Sequence, residues 1–371
     1  MVLVEAHVSC PVHESFRVQQ LAGMFDVPLA ERASQRFAVD VPGADEHWQI
    51  GLIVGPSGSG KSTIARQAFG QRMAPVAPWP ADRAVIDGFG ELATQQITGL
   101  LTAVGFGSPP SWIKPYGVLS GGEQFRCDLA RSLAGAICEA AACDNQAPGQ
   151  VPLAVFDEFT SVVDRNVAQV ASAALSKGIR GGAIGCRFVA VTCHYDVAEW
   201  LEPDWVVDMR ERTCQRRRLR RPAIELQLFR VRHRLWRLFA PHHYLSGSLS
   251  RLARCYAAWW RGVPVSFVAT LPTIGRRGHW RITRMVTLPD FQGLGIGMRV
   301  AEAVCDLHAA QGHRVNVTSS HPALIAHCRK SPCWRTARVL KTGSASARRF
   351  IGNYRGSGGR AVVSFEYVSA P

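Results

Sequence analysis

The sequence predicts an α/β protein built from two dissimilar modules, and three observations predict it. An apolar run, Ile50–Val54, enters the glycine-rich turn Gly55-Pro56-Ser57-Gly58-Ser59-Gly60, and a helical stretch follows. A second strand, glycine turn and helix occupy residues 284–311 near the other end of the chain. Charge divides between the two: residues 1–209 hold 14 Lys/Arg and 22 Asp/Glu, a net of −8, and residues 210–371 hold 29 and 6, a net of +23. The total of +15 therefore describes neither half. At 371 residues, with 47% hydrophobic and 19% charged side chains, the chain is long enough for two or three folded domains and is not of disordered composition.

Taken in order, residues 1–45 form an extension without a sharp motif. Strands are expected at Ile50–Val54, Leu153–Phe156 and Arg187–Thr192, alternating with helices at Ser62–Phe69 and Glu123–Ala142; this alternation implies a largely parallel sheet in residues 46–209. Arg210–Arg221 has 7 Arg in 12 residues and reads as a linker, 210–222. Beyond it, residues 223–371 show a helix expected at Leu249–Trp260, strands at Pro264–Leu271, Arg284–Pro289 and Val315–Val317, and a helix at Met298–Gln311. Ala301, Val304, Cys305 and His308 share one face of that last helix. No apolar run reaches the roughly 18 residues of a membrane span, so no membrane partner is expected. The start of the chain lacks a basic signal-peptide region, and the 11 cysteines include no C-x-x-C pair. A cytoplasmic protein with reduced thiols is the expectation.

The first glycine turn has the context that phosphate binding needs. Gly55, Ser57, Gly58 and Gly60 let backbone amides turn inward at a helix N-terminus. Lys61 would reach the β- and γ-phosphates of ATP, with Ser62 and Thr63 opening the helix. Asp157, at the end of the Leu153–Phe156 strand, would hold Mg²⁺ together with Ser62. Glu158 would activate the attacking water.

Leu119-Ser120-Gly121-Gly122-Glu123 is the third element, and here residues 40–210 resemble the ABC ATPase family. The resemblance implies that Ser120, Gly121 and Gly122 contact the γ-phosphate held by a second protomer, that Asp164 belongs to a D-loop and that His194 is the switch histidine. It implies a head-to-tail homodimer closed by ATP. Only 56 residues separate Ser62 from Leu119, which implies a reduced helical subdomain. Gln95, Gln96 or Asp87 stand where a Q-loop would lie, and Phe37 and Trp48 are candidates to stack on adenine. The weak Q-loop and the absence of a membrane segment argue against a transporter.

In the second module, Asp290-Phe291-Gln292-Gly293-Leu294-Gly295-Ile296-Gly297 departs from dinucleotide-binding spacing and has no acidic residue about 20 positions on. Gln292-x-x-Gly295-x-Gly297 resembles motif A of the GNAT acyltransferases. The implied fold is α+β, with Gln292, Gly293, Gly295 and Gly297 around the pyrophosphate of acetyl-CoA or another acyl-CoA. The implied pantetheine strand includes Val286 and Leu288. Thr318-Ser319-Ser320-His321 follows the next strand: His321 would take the amine proton and Ser320 would protonate the thiolate. His242, His243 and Tyr244 would line the acceptor pocket.

The combination resembles ABC-type ATPases joined to a predicted GNAT acetyltransferase. The leading expectation is ATP-driven closure coupled to N-acyl transfer onto nucleic acid, DNA or RNA, or onto a nucleic-acid-bound protein. The basic and aromatic residues Arg230–Trp236, Trp259, Trp260, Arg261, Arg276, Arg277 and Trp280 would grip phosphates and stack bases. Such binding should survive deletion of residues 1–209. The alternatives are an ATP-regulated small-molecule acetyltransferase of the self-resistance kind, and a degenerate GNAT domain that only binds nucleic acid.

Overall fold

The computed structural model describes residues 1–28, 32–43, 45–73, 77–142, 151–216, 220–244, 247–341 and 361–368. The first part of the chain contains β1 (Val2–Pro11), α1 (Phe16–Phe25), β2 (Arg32–Val41), β3 (Ile50–Val54), α2 (Lys61–Phe69), α3 (Thr94–Ala103) and α4 (Pro109–Trp112). There follow α5 (Gly121–Ala142), β4 (Leu153–Phe156), α6 (Arg165–Arg180), β5 (Arg187–Thr192), α7 (Ala198–Leu201), β6 (Trp205–Asp208) and β7 (Thr213–Gln215). The remainder holds β8 (Gln227–Val231), α8 (Trp236–Phe239), β9 (Arg254–Trp260), β10 (Val263–Pro272), β11 (His279–Thr287), α9 (Ile296–Ala309), β12 (Arg314–Ser319), α10 (Pro322–Lys330), β13 (Trp334–Leu340) and β14 (Val362–Tyr367). No helix among the described residues is long and apolar enough to cross a membrane.

The chain packs as two compact units that do not follow the sequence in order. The first contains Met1–Val76, Gly135–Val162 and Gly185–Arg220. Its five-stranded sheet has the order β4-β5-β3-β6-β7, parallel except for β7. All five residues of β3 and all six of β5 are buried, as strands covered on both faces must be. The extension without a motif is ordered: β1 and β2 pair antiparallel from Val2↔Val41 to Pro11↔Arg32, and Val4, Val39 and Val41 join the same core as Ile53 and Val191. The segment read as a linker contributes β7 to this sheet.

The second unit contains Ala77–Ala134, Val163–Ile184 and Arg221–Pro371. Helices α3 and α6 therefore belong with the basic C-terminal strands rather than with the P-loop. Its seven-stranded sheet has the order β13-β14-β12-β11-β10-β9-β8. The one parallel pair, β11 and β12, is bridged by α9, which packs on β10, β11 and β12 through Ala301, Val304, Cys305 and His308. The helix expected at Leu249–Trp260 is instead strand β9. Paired to β8 on one side and β10 on the other, its middle is buried on both faces. The apolar run Cys255–Ala258 thus lacks the alternation that marks a strand.

Strand β11 splays. It pairs with β10 through Thr287, but with β12 only from His279 to Ile282. The register slips between Ala269 and Thr270, leaving Thr283 as a bulge residue at the point of divergence. Beyond Ile282 the strand therefore runs on along β10 without pairing to β12.

Candidate functional site

In the first unit, the C-terminal ends of the parallel strands bring the phosphate-site candidates together. Val54 pairs with Thr192 and Phe156 with Ala190, so Gly55, Asp157 and His194 leave the sheet at one edge. Gly58 and Gly60 take φ of +77° and +83°, as a loop with inward amides needs, and a Cβ on Gly58 would meet nothing within 4 Å. The Lys61 ammonium donates to the Pro56 carbonyl at 2.8 Å, folded over its own loop. Ser62 Oγ donates to Asp157 Oδ1 at 2.9 Å, so the two Mg²⁺ candidates are adjacent. Ser57 is exposed and Thr63 half-buried.

Glu158 sits at φ +53° and Thr160 at +66°, unusual for residues with a Cβ. The turn is fixed by Glu158 N–H donating to Asp157 Oδ1, Ser161 Oγ donating to Glu158 Oε2 and Phe159 N–H donating to Val191 O. Strain over-determined by such bonds holds the Glu158 carboxylate at the strand end. Half-buried His194 follows β5, its N–H bonded to Thr192 Oγ1. Of the adenine candidates, Trp48 packs edge-on to Trp205 in the core, and Phe37 lies against the glycine loop, in the space where a Cβ on Gly60 would be.

In the second unit, Ser120 and Glu123 form a capping box at the start of α5: Ser120 N–H and Oγ donate to Glu123 Oε2. Gly121 is exposed and Gly122 half-buried. Asp164 caps α6, accepting from the Asn166 and Val167 amides. Arg126, one turn into α5, is fully buried. It donates to the Gly122 carbonyl at 3.3 Å and lies 4.0 Å from Asp290. Its Nε and Nη2 have no hydrogen-bond partner among the described residues, and burial pushes its pKa down despite Asp290, Glu123 and Asp164.

The same unit holds a cavity of about 500 Å³. Its walls are the β11 segment Thr283–Thr287, residues of the turn Gln292–Met298, and Val317, Thr318 and Ser319 of β12. His242, His243, Tyr244 and His321 line it, and Thr102, Gly107, Ala174 and Lys177 close it. Gly293 and Gly295 both take φ of +88°. The first helical bond of α9 is Arg299 N–H to Gly295 O, so the Ile296, Gly297 and Met298 amides at the cavity have no intrahelical acceptor. Such a turn fits a pyrophosphate, and a strand that diverges from its neighbour gives an extended, amide-bearing chain a wall to lie along.

Several sequence assignments change. Leu288 lies past the end of β11, its N–H bonded to Val265 O, and does not line the cavity; Val286 does. Gln292 is not free for a ligand: its Oε1 accepts from Gly107 N–H at 2.8 Å and its Nε2 donates to Thr287 O at 2.9 Å. Ser320 is absent from the lining and Ser319 is present, its Oγ accepting from His321 N–H. Trp236 and Trp260 are core residues, 5% and 7% exposed, whereas Arg230, Arg232, Arg234, Arg276 and Arg277 are exposed. The basic groups thus reach solvent while these two indoles stack within the fold. Trp280 packs between His308, His313 and Arg254.

His321 is a coherent base. Its Nε2–H donates to the Gly107 carbonyl at 3.3 Å, leaving Nδ1 as the basic nitrogen. Burial pushes its pKa below the ordinary histidine value, against the smaller opposing effect of that hydrogen bond. That shift favours the neutral imidazole, the form that accepts a proton. The Tyr244 ring lies 6.1 Å from it and stacks on His243. Gly107, joined through both its N–H and its C=O, had no local signal in the sequence.

Residues 208–329 match the family model of the Acetyltransferase (GNAT) family. No curated protein matches. Among solved structures, the chain is similar to the ribosomal-protein-S18-alanine N-acetyltransferase from Escherichia coli at 12% identity, over 40% of this chain and 96% of that one, with a TM-score of 0.31. It is similar to an acetyltransferase of Bacillus subtilis in complex with CoA at 14%, over 39% and 98%, with a TM-score of 0.31. It is also similar to the dimeric ATP-binding cassette MJ0796 bound to ADP and Pi at 15%, over 59% and 99%, with a TM-score of 0.37.

Proposed function

We propose that the chain joins an ABC-type P-loop ATPase to a GNAT-type acetyltransferase domain and carries out an ATP-controlled transfer of an acyl group from acyl-CoA to an amine. The observation that carries this is the shared cavity. It holds a glycine turn at the N-terminus of α9, the β11 segment that diverges from β12, and His321. A neutral amine attacks the thioester carbonyl, forming the C–N bond as the C–S bond breaks. His321 Nδ1 takes the amine proton. The thiolate leaves and takes a proton from Tyr244, the tyrosine among the described lining residues.

For the nucleotide, Gly55–Thr63 would cradle the phosphates of ATP and Glu158 would orient water. Mg²⁺, held by Ser62 and Asp157, would neutralise phosphate charge. Ser120 and Gly121 would meet the phosphates of a partner chain in a head-to-tail dimer. Ser120 must then release Glu123, to which its hydroxyl now donates.

The acceptor is nucleic acid or a protein bound to it. The support is the net +23 of residues 210–371 and the exposed arginines at 230, 232, 234, 276 and 277. The test is mass spectrometry of nucleic acids and proteins after incubation of the full chain with labelled acetyl-CoA, with and without ATP. Label on nucleic acid or its bound protein, raised by ATP, is the expected result. Label on small amines alone would move the acceptor to that class. No label with bound acetyl-CoA would leave a binding module.

A further inference from the structure

Helix α6 lies outside the residues that the acetyltransferase family model matches, yet Ala174, Lys177, Gly178 and Gly181 line the cavity. The Lys177 ammonium lies 3.4 Å from the Gly293 carbonyl, and a Cβ on Gly295 would stand 2.9 Å from it. The cation is thus set at the two positive-φ glycines that open α9.

The Lys177 ammonium donates to the Gly293 carbonyl and stands at the start of α9. The N-terminus of α9 carries the positive end of its dipole, which repels a cation. Surrounding protein, and secondarily the Arg221 guanidinium, push the Lys177 pKa down, although the residue remains open to solvent. No Asp or Glu is among the described residues that line the cavity, and Arg284 adds a second positive group. A cation, a helix N-terminus and a wall without carboxylates together call for a polyanionic ligand.

Building on the acyl-CoA reading, we propose that Lys177 is a phosphate ligand of the acyl-CoA site, supplied by the ATPase-type part of the sequence. The acyl-CoA site is then incomplete without α6. At 1.5 Å per residue, the helix places this ammonium roughly 20 Å from Asp164 at its other end. A shift of the D-loop residue on ATP binding would move the whole rod and the cation with it.

The test uses the full chain and calorimetric titration with CoA, comparing wild type, Lys177→Gln and Lys177→Arg. Loss of one charged contact to phosphate should weaken CoA binding about ten- to a hundredfold in Lys177→Gln. Lys177→Arg should stay within about threefold, since the charge is kept. The KM for acetylpantetheine, which lacks the pyrophosphate, should be unchanged in both variants. Equal CoA affinity of Lys177→Gln and wild type would overturn the inference. So would equal losses for CoA and acetylpantetheine, which would indicate a packing role. A wild-type chain that binds no CoA would instead overturn the acyl-CoA reading itself.

Discussion

Gly105 and Gly99 are two glycines of one segment with opposite expected responses to alanine. Gly105, just past α3, has φ +87°, and a Cβ there would stand 2.9 Å from the Gln292 carbonyl oxygen. Its Cα is also where a Cβ on Gly293 would collide, at 2.8 Å. Both obstacles are backbone, so no rotamer relieves them. The left-handed conformation costs about 1–2 kcal/mol and the forced separation about 1–3, giving roughly 2–5 kcal/mol for Gly105→Ala. Gly99, exposed in the middle of α3 with nothing within 4 Å of its Cβ site, should gain about 0.5–1 kcal/mol as alanine. Denaturant unfolding of the full chain should show midpoints moving in opposite directions. Gly105→Ala should also slow acetyl transfer, because separating the segments breaks the bonds from Gly107 to Gln292 and His321. A Gly105→Ala midpoint at or above wild type would refute the close-approach argument.

Two further outcomes concern other sites. Glu158→Gln should lower ATP turnover a hundredfold or more, by loss of the general base, and accumulate an ATP-bound dimer on size exclusion. Unchanged turnover would remove Glu158 from that role. His308 is fully buried against Thr270 and Trp280, and desolvation, then Arg254, push its pKa down to about 4. The unfolded chain protonates first as pH falls, so stability is lost below about 6.5. On the order of 3 kcal/mol should be gone by pH 4. His308→Gln should flatten that limb in denaturation midpoints measured from pH 7.5 to 4.5.

What could be read in the sequence was local. The glycine loop Gly55–Gly60, the motif Leu119–Glu123 and the turn Gly293–Gly297 are contiguous, and each needs only neighbouring backbone to have its shape. The bond from Gly107 to the Gln292 side chain was not legible, because the two lie 185 residues apart and no pattern within the strand or turn reveals it. Lys177 sits on a helix whose buried stripe, Val167 to Ile179, reads as ordinary amphipathic packing. Strand β9 was missed because a central strand buried on both faces has no period to detect. The tryptophans expected to stack bases are apolar first. Trp236 is buried against Phe267, with its N–H satisfied by Gly247 O.

The pairing of Gly105 with Gly293 also changes how the acyltransferase part should be isolated. A cut at residue 222 follows the charge boundary, but it removes Gly107 from His321, Ala174 from Gly293 and Lys177 from the cavity. The fragment 223–371 would then expose a cavity wall and leave Gln292 Oε1 without the Gly107 N–H that it accepts from. Full-chain CoA affinity should fall at least tenfold in that fragment, by loss of the charged contact alone. Deleting residues 1–209 is accordingly a poor test of nucleic-acid binding, since it also dismantles the unit that carries the arginines. Charge reversal at Arg276 and Arg277 in the intact chain is the cleaner perturbation: both lie exposed in the turn between β10 and β11, away from the cavity lining. Weaker binding with a shallower salt dependence, at unchanged CoA affinity, would place the polyanion on that face. A fragment 223–371 that binds CoA as the full chain does would show that α6 and the Gly105–Gly107 segment are only packed beside the site.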